Sequence, residues 1–433
     1  MKSSQNPSCP QPVCCQPSGH LSRRTLLILI FLLAGGFLSH VSAQVLPGID
    51  VLVRDDFEEL EGMRVGLVIN QTALRRDVRR STLDAFLATD ECRVTALFAP
   101  EHGIDASALA GESVDNQVDR STGLPIFSLY GATKKPTRAM LANVDVMVYD
   151  IQDIGVRSYT YISTMIKVME GCAEAGIPVV VLDRPNPIGG DVVDGPVLDT
   201  AFRSFVGLLP VPYVYGLTAG ELAMMANGEG WLENGLKCDL RVIRMDGWRR
   251  SMTWRDTGLL WIPTSPHVPT PEAAFSNAAT GALGEIGVAS IGIGYTLPFE
   301  LVGGTWINAE TFSARLNGMG VPGIFFRKIA YKPFYGMSTG SMCYGVHLVR
   351  TAERALPFTA TIAIMTALRD EYPERKLFEN VTPERWKMFD KVCGTDQIRQ
   401  SILRGDSFRS IVAGWEYRLH DFISRREEYL LYE

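Results

Sequence analysis

VTALFAPEHG, residues 94–103, is an apolar run that ends at Pro100 and then delivers an acid, an imidazole and a glycine. Val, Phe and Leu in so short a run suit a buried strand, and the following proline stops its ladder. Three further segments repeat the design. VGLVIN (65–70) delivers Asn70, VMVYDIQD (146–153) delivers Asp150 and Asp153, and VVVLDRPNP (179–187) delivers Asp183, Arg184 and Asn186. In an open parallel sheet, ligands bind in the crevice beyond the carboxyl ends of the strands. Polar side chains gathered at that edge therefore form a site hypothesis with a geometric reason, and the sequence reads as an enzyme.

Around these strands the pattern alternates. Residues 64–70, 93–99, 125–130, 144–151, 178–182 and 238–245 read as strands. Ser81 with Asp84 and Thr218 with Glu221 carry helix-capping signatures. Ile162, Met165, Ile166, Met169, Cys172 and Ala173 recur at three and four, with Gly176 where a C-terminal cap belongs. Residues 137–143 read as a short helix, and residues 101–123 as a long excursion over the sheet edge. Strands alternating with helices imply right-handed crossovers and an α/β fold with a doubly wound parallel sheet.

At 433 residues the chain exceeds one ordinary core. The proline-dense IPTSPHVPTP (262–271) is the natural joint. We expect one domain over 44–262 and a smaller α+β domain over 263–433 that completes a cleft. Phe408, Ile411, Val412, Trp415, Leu419, Phe422 and Ile423 form the apolar stripe of a tail helix, which is core packing.

The stretch TLLILIFLLAGGFL (25–38) follows Arg23-Arg24 and precedes Val41-Ser42-Ala43. That order describes a secretory signal peptide over residues 1–43, with an uncleaved N-terminal anchor as the rival. The expected location is periplasmic or extracellular, with membrane contact only through residues 25–38. Without Lys2, Arg23 and Arg24 the remaining chain has 39 basic and 48 acidic residues, which disfavours nucleic acid as a partner. Cys92, Cys172, Cys238, Cys343 and Cys393 are far apart and lack CxxC spacing, so buried free thiols are expected.

The chemistry narrows by subtraction. No Gly-x-Gly-x-x-Gly joins the first strand to its helix, and there is no P-loop, Gly-x-Ser-x-Gly elbow or His-Glu-x-x-His. Glu101-His102 with Asp150, Asp153 and Asp183 invites a metal reading. Beyond residue 43, however, the only histidines are His102, His267, His347 and His420, and no metal or other cofactor is expected. The run YDIQDIGVRSYTY (149–161) supplies acids, Arg157, Tyr159 and Tyr161, the hydrogen-bonding and aromatic mix that binds sugars. Asp150 capping a turn and Arg157 neutralising it is the alternative. His267, in the proline-rich loop, serves either loop packing or substrate contact.

FAPEHG, AGE (110–112), SLYGATKKPT, YDIQDIGVRSYTYIST, VVLDRPNPI, DGPVLD and SFVGLLPVP together resemble the exo-β-N-acetylmuramidases of the NamZ/YbbC type. The likeness runs from about Gly48 to the final YLLYE. It implies a Rossmann-like domain, a smaller second domain, a cleft between them, and release of a terminal amino sugar from peptidoglycan fragments without a nucleotide cofactor. It makes Glu101 the catalytic acid/base. Asp150 and Asp153 stand as further catalytic candidates. Asn70, His102, Glu112, Arg157, Tyr159, Tyr161, Asp183, Arg184, Asn186 and His267 stand as substrate-binding ones. The partner is a carbohydrate; a carbohydrate-binding or sensor protein using the same cleft is the alternative. Where the family pattern carries a glutamate and arginines, this chain has Asp105, Ile291, Ile293 and Leu297. The exact sugar, N-acetylmuramic acid or a related one, therefore stays open.

Overall fold

Each strand of the large sheet sends alternate side chains to opposite faces, and both faces are covered. In the computed structural model, which describes residues 45–105 and 116–433, the strands are β1 (Arg64–Ile69), β2 (Arg93–Ala99), β3 (Gln117–Val118), β4 (Pro125–Ser128), β5 (Val146–Asp150), β6 (Val179–Leu182) and β7 (Leu240–Ile243). Val65, Leu67, Ile69, Val146, Val148, Val180 and Leu182 pack on one side against Ile49 and Leu52 of helix Gly48–Arg54 and Ala85 and Phe86 of helix Thr82–Leu87. Val68, Met147, Tyr149, Val179 and Val181 pack on the other, against helices Tyr161–Ala175 and Ala219–Gly228. Near-continuous apolar strands are what a sheet buried on both faces requires.

The strand order is β3-β4-β2-β1-β5-β6-β7. Every pairing is parallel except β3 with β4 at the edge. The fold is thus the α/β, doubly wound class. A second sheet, β8 (Leu301–Gly304), β10 (Cys343–Arg350) and β9 (Ile324–Tyr331) in that order, is antiparallel. It is accompanied by helices Pro271–Ile286, Ala309–Met319 and Pro357–Glu371, whose apolar faces form one large cluster.

Local signals act as expected at several ends. Ser81 and Thr218 each close a full capping box with Asp84 and Glu221. Gly176 ends its helix in the left-handed region, at φ +72°. Two expectations change. Residues 138–143 form turns, not a helix. The tail stripe is split at Gly414 into helices Phe408–Ala413 and Glu416–Arg426. Cys92, Cys172, Cys238, Cys343 and Cys393 are all buried and free. Among the described residues no helix is long and apolar enough to cross a membrane, and residues 25–38 lie outside them.

Candidate active site

The end of β2 turns sharply. His102 adopts φ +72° and Gly103 φ +82°, with the Gly103 N–H on the Pro100 carbonyl at 3.1 Å. A non-glycine residue in the left-handed region is uncommon and is held there by its surroundings. The turn sets Glu101 and His102, both largely buried, onto the lining of a cleft of about 520 Å³. The loop before helix Tyr161–Ala175 supplies Ser158, Tyr159, Thr160 and Tyr161 to the same lining. The 265–299 region adds Ser265, His267, Glu285, Ile291, Ile293 and Phe299.

Thr160 ties the two walls of the large-sheet side together, its hydroxyl donating to Glu101 Oε2 at 2.5 Å. Burial, together with the charge and hydrogen bond of Glu101, pushes the neighbouring Tyr130 phenol up to about 12. Tyr130 therefore stays a neutral donor. Tyr161 donates to the Thr264 carbonyl at 2.5 Å and Tyr159 to Thr264 Oγ1 at 2.8 Å. Their rings meet edge-on at 4.8 Å. His267 Nε2 lies 3.2 Å from the Tyr335 hydroxyl. Burial, then the charge of His102, lowers the His267 pKa, which keeps that ring neutral near pH 7.

The cleft thus brings together Glu101, His102, Tyr159, Tyr161 and His267 of the residues singled out in the sequence. The other described ones are not on its lining. Asp150 has no exposed surface. It accepts from Arg184 Nε at 2.5 Å and Nη2 at 2.9 Å, and from the Thr82 hydroxyl. Arg184 also holds the Leu74 carbonyl at 2.9 Å. Asp153 accepts from Tyr215 and from the Gly155 N–H at 2.7 Å, and burial pushes its carboxyl up to about 6. Asp183 accepts from Thr218, the Gly220 N–H and Tyr432 at 2.6–2.9 Å, and burial lifts it likewise to about 6. Asn186 spans the Leu217 carbonyl and the Ile188 N–H. Asn70 accepts from the N–H and hydroxyl of Thr72.

Arg157 is fully buried, with its two terminal nitrogens on four carbonyls: Pro196 at 2.7 Å, Val211 at 2.6 Å, Val392 at 3.1 Å and Cys393 at 2.6 Å. Glu112 lies outside the described residues. Sequence reasoning passed over Tyr130, Thr160 and Glu285. For Thr160 a signal existed, since it stands between two tyrosines already selected. For Glu285, inside an ordinary helical run, there was none.

Among the described residues no group of three or more His, Cys, Asp or Glu side chains could hold a metal ion. What the lining offers is the buried Glu101 carboxyl and that of Glu285, with hydroxyl donors, aromatic rings and imidazoles. That set can bind a sugar ring and move a proton at its glycosidic oxygen.

Comparison with known proteins agrees. Residues 65–272 match the family described as exo-beta-N-acetylmuramidase NamZ, N-terminal, and residues 278–432 its C-terminal counterpart. The chain is 40% identical over 390 residues to the peptidoglycan beta-N-acetylmuramidase NamZ of Bacillus subtilis (strain 168), covering 90% of this chain and 92% of that protein. Two crystal structures of DUF1343 family proteins from Bacteroides fragilis NCTC 9343 superpose with TM-scores of 0.85 and 0.71, at 41% and 29% identity. Each match covers 90% of this chain and 99% of the other.

Proposed function

The chain belongs to the exo-β-N-acetylmuramidase NamZ family, and from that premise we propose that its cleft releases a terminal amino sugar, N-acetylmuramic acid or a close relative, from peptidoglycan fragments. It is a glycoside hydrolase. Glu101 is the acid/base of the reaction. The observation that carries this role is the position of Glu101, on a tight turn after a central strand, on the cleft lining and held by Thr160.

In this reading the Glu101 carboxyl gives its proton to the leaving oxygen as the bond to the anomeric carbon breaks, and recovers one from the water whose oxygen bonds to that carbon in its place. Hydrolysis of this kind ordinarily uses a second carboxyl group. Glu285 is the other carboxyl among the described lining residues, and burial raises its pKa. Glu112 is the candidate from the 106–115 segment. Asp150 and Asp153, bound into buried pairs, hold the turn that carries Tyr159, Thr160 and Tyr161. Tyr159, Tyr161 and His267 give the sugar its aromatic and hydrogen-bonding contacts.

Residues 1–43 act as an export signal, which matches a substrate that lies outside the cytoplasm. The mature N-terminus, read by mass spectrometry of the secreted protein, should fall just after Ala43.

Turnover of a chromogenic β-N-acetylmuramide and β-N-acetylglucosaminide by residues 44–433 tests the activity. Glu101→Gln should lower kcat by about 100-fold or more. A variant that keeps most of its activity would remove Glu101 from the acid/base role.

A further inference from the structure

An enzyme that removes one terminal sugar holds that sugar in its cleft, and the rest of the glycan has to leave through the mouth. The rim of the mouth therefore meets the leaving side of the chain.

One rim of this cleft is the loop KPFYGMSTGSM (332–342), between β9 and β10. Met337 is on the cleft lining, and the Tyr335 hydroxyl lies 3.2 Å from Nε2 of the lining residue His267. The Phe334 N–H donates to the Gly294 carbonyl at 2.7 Å, next in the chain to Ile293 of the lining. The side chains of this loop are bare: Phe334 is 70% exposed, Tyr335 53% and Met337 42%, with Met342 exposed beside them in sequence. Apolar side chains scattered singly over a surface are ordinary, but a group crowded into one short loop marks a contact surface.

The rings are also held in place. Phe334 stacks on Tyr295 at 5.8 Å, and Tyr295 packs at 5.4 Å on Tyr331, which is buried with Leu301 and Cys343. The Gly340 N–H donates to the Pro333 carbonyl at 3.0 Å and the Thr339 hydroxyl to the Gly336 carbonyl at 2.7 Å. Gly294 sits at φ +95°, and a Cβ there would overlap the Tyr335 carbonyl. Two aromatic rings thus face solvent from a braced backbone, with Ser338, Thr339 and Ser341 following them. Preset aromatic faces interleaved with hydroxyls suit a sugar chain, whose pyranose faces are C–H and whose edges are hydroxyl and amide. A partner helix or a lipid surface would call for apolar side chains without that interleaving.

Resting on the hydrolase reading above, we propose that the 332–342 loop is a stacking platform for the leaving side of the glycan, where Tyr335 and Phe334 receive the sugar rings beyond the bond that is cut. The platform adds affinity for long substrates and none for a terminal sugar alone.

The test compares two substrates with the same terminal sugar on the full chain: N-acetylmuramyl β-fluoride, which has no leaving-side sugar, and a tetrasaccharide in which N-acetylmuramic acid is β-linked to the next N-acetylglucosamine. Released N-acetylmuramic acid is measured directly. Phe334→Ala should lower the tetrasaccharide-to-fluoride ratio of kcat/KM by about tenfold, and Phe334→Tyr, which keeps the ring, should keep the ratio. An unchanged ratio in Phe334→Ala overturns the proposal and leaves the hydrolase intact. A dimer that dissociates in Phe334→Ala on sedimentation, with the ratio unchanged, makes the loop a contact between copies and overturns it equally. If neither substrate is turned over, the hydrolase reading fails. Titration with a β-1,4-linked N-acetylglucosamine trisaccharide, a mimic of the leaving side, then decides the platform. Binding weakened about tenfold in Phe334→Ala supports it; equal binding to both proteins, or none to either, overturns it.

Discussion

Thr160 is the residue on which the geometry of Glu101 depends most directly, because its hydroxyl donates straight to the carboxylate. Thr160→Val keeps the shape and removes the donor. The expected result is a kcat lowered by about tenfold with little change in KM, and recovery in Thr160→Ser. Steady-state kinetics on the preferred glycoside checks both. At this scale the sequence was half legible. The rule that strand ends face the ligand found Glu101 and His102, and the tyrosine-rich run found Tyr159 and Tyr161. The same rule named Asp150, Asp153, Asp183 and Arg184, which the folded chain consumes internally. Their partners, among them Thr82, Tyr215 and Tyr432, come from distant segments. A strand-end acid shows the edge it occupies, but not which way its side chain will be drawn.

At the scale of elements, the strands and caps were readable because each depends on neighbours in sequence. The turn at 138–143 was not, since a few apolar residues at helical spacing cannot outlast the cost of nucleating a helix without tertiary support. The connection after β5 shows how tightly one element can be specified. Gly155 sits at φ +77°, and a Cβ there would fall 2.3 Å from Asn186 Oδ1. Gly155→Ala would strain the backbone and push Asn186 off the Leu217 carbonyl and Ile188 N–H that it joins. Urea denaturation should show a loss of about 2 kcal/mol or more. Turnover should fall with it, because the displaced loop carries Tyr159, Thr160 and Tyr161.

Across the whole molecule, buried acids fasten segments that lie far apart in the chain. Asp194 accepts the N–H and hydroxyl of Thr359, each at 2.8 Å, at the start of helix Pro357–Glu371. Asp153, Asp183 and Asp194 are all pushed up to about 6 by burial, from an ordinary 3.8. Each binds its proton more tightly folded than unfolded, so the folded state loses stability as pH rises from about 4 to about 6 and levels off above. Denaturation midpoints across that window should fall with pH, and Asp194→Asn should flatten the slope by one group's share whatever its overall offset. A midpoint that rises across the window would show that these acids are ionised in the folded protein. The doubly wound class of the sheet was legible because alternation implies it. The fastenings were not, because pairs such as Asp194 with Thr359 leave no periodic trace. Arg157 carries the same lesson into the history of the sequence. It grips residues 196, 211, 392 and 393 only by their carbonyls, so mutation can change those side chains without loosening the grip. Insertions or deletions nearby move the carbonyls themselves. Relatives should therefore hardly vary in the spacing around these positions.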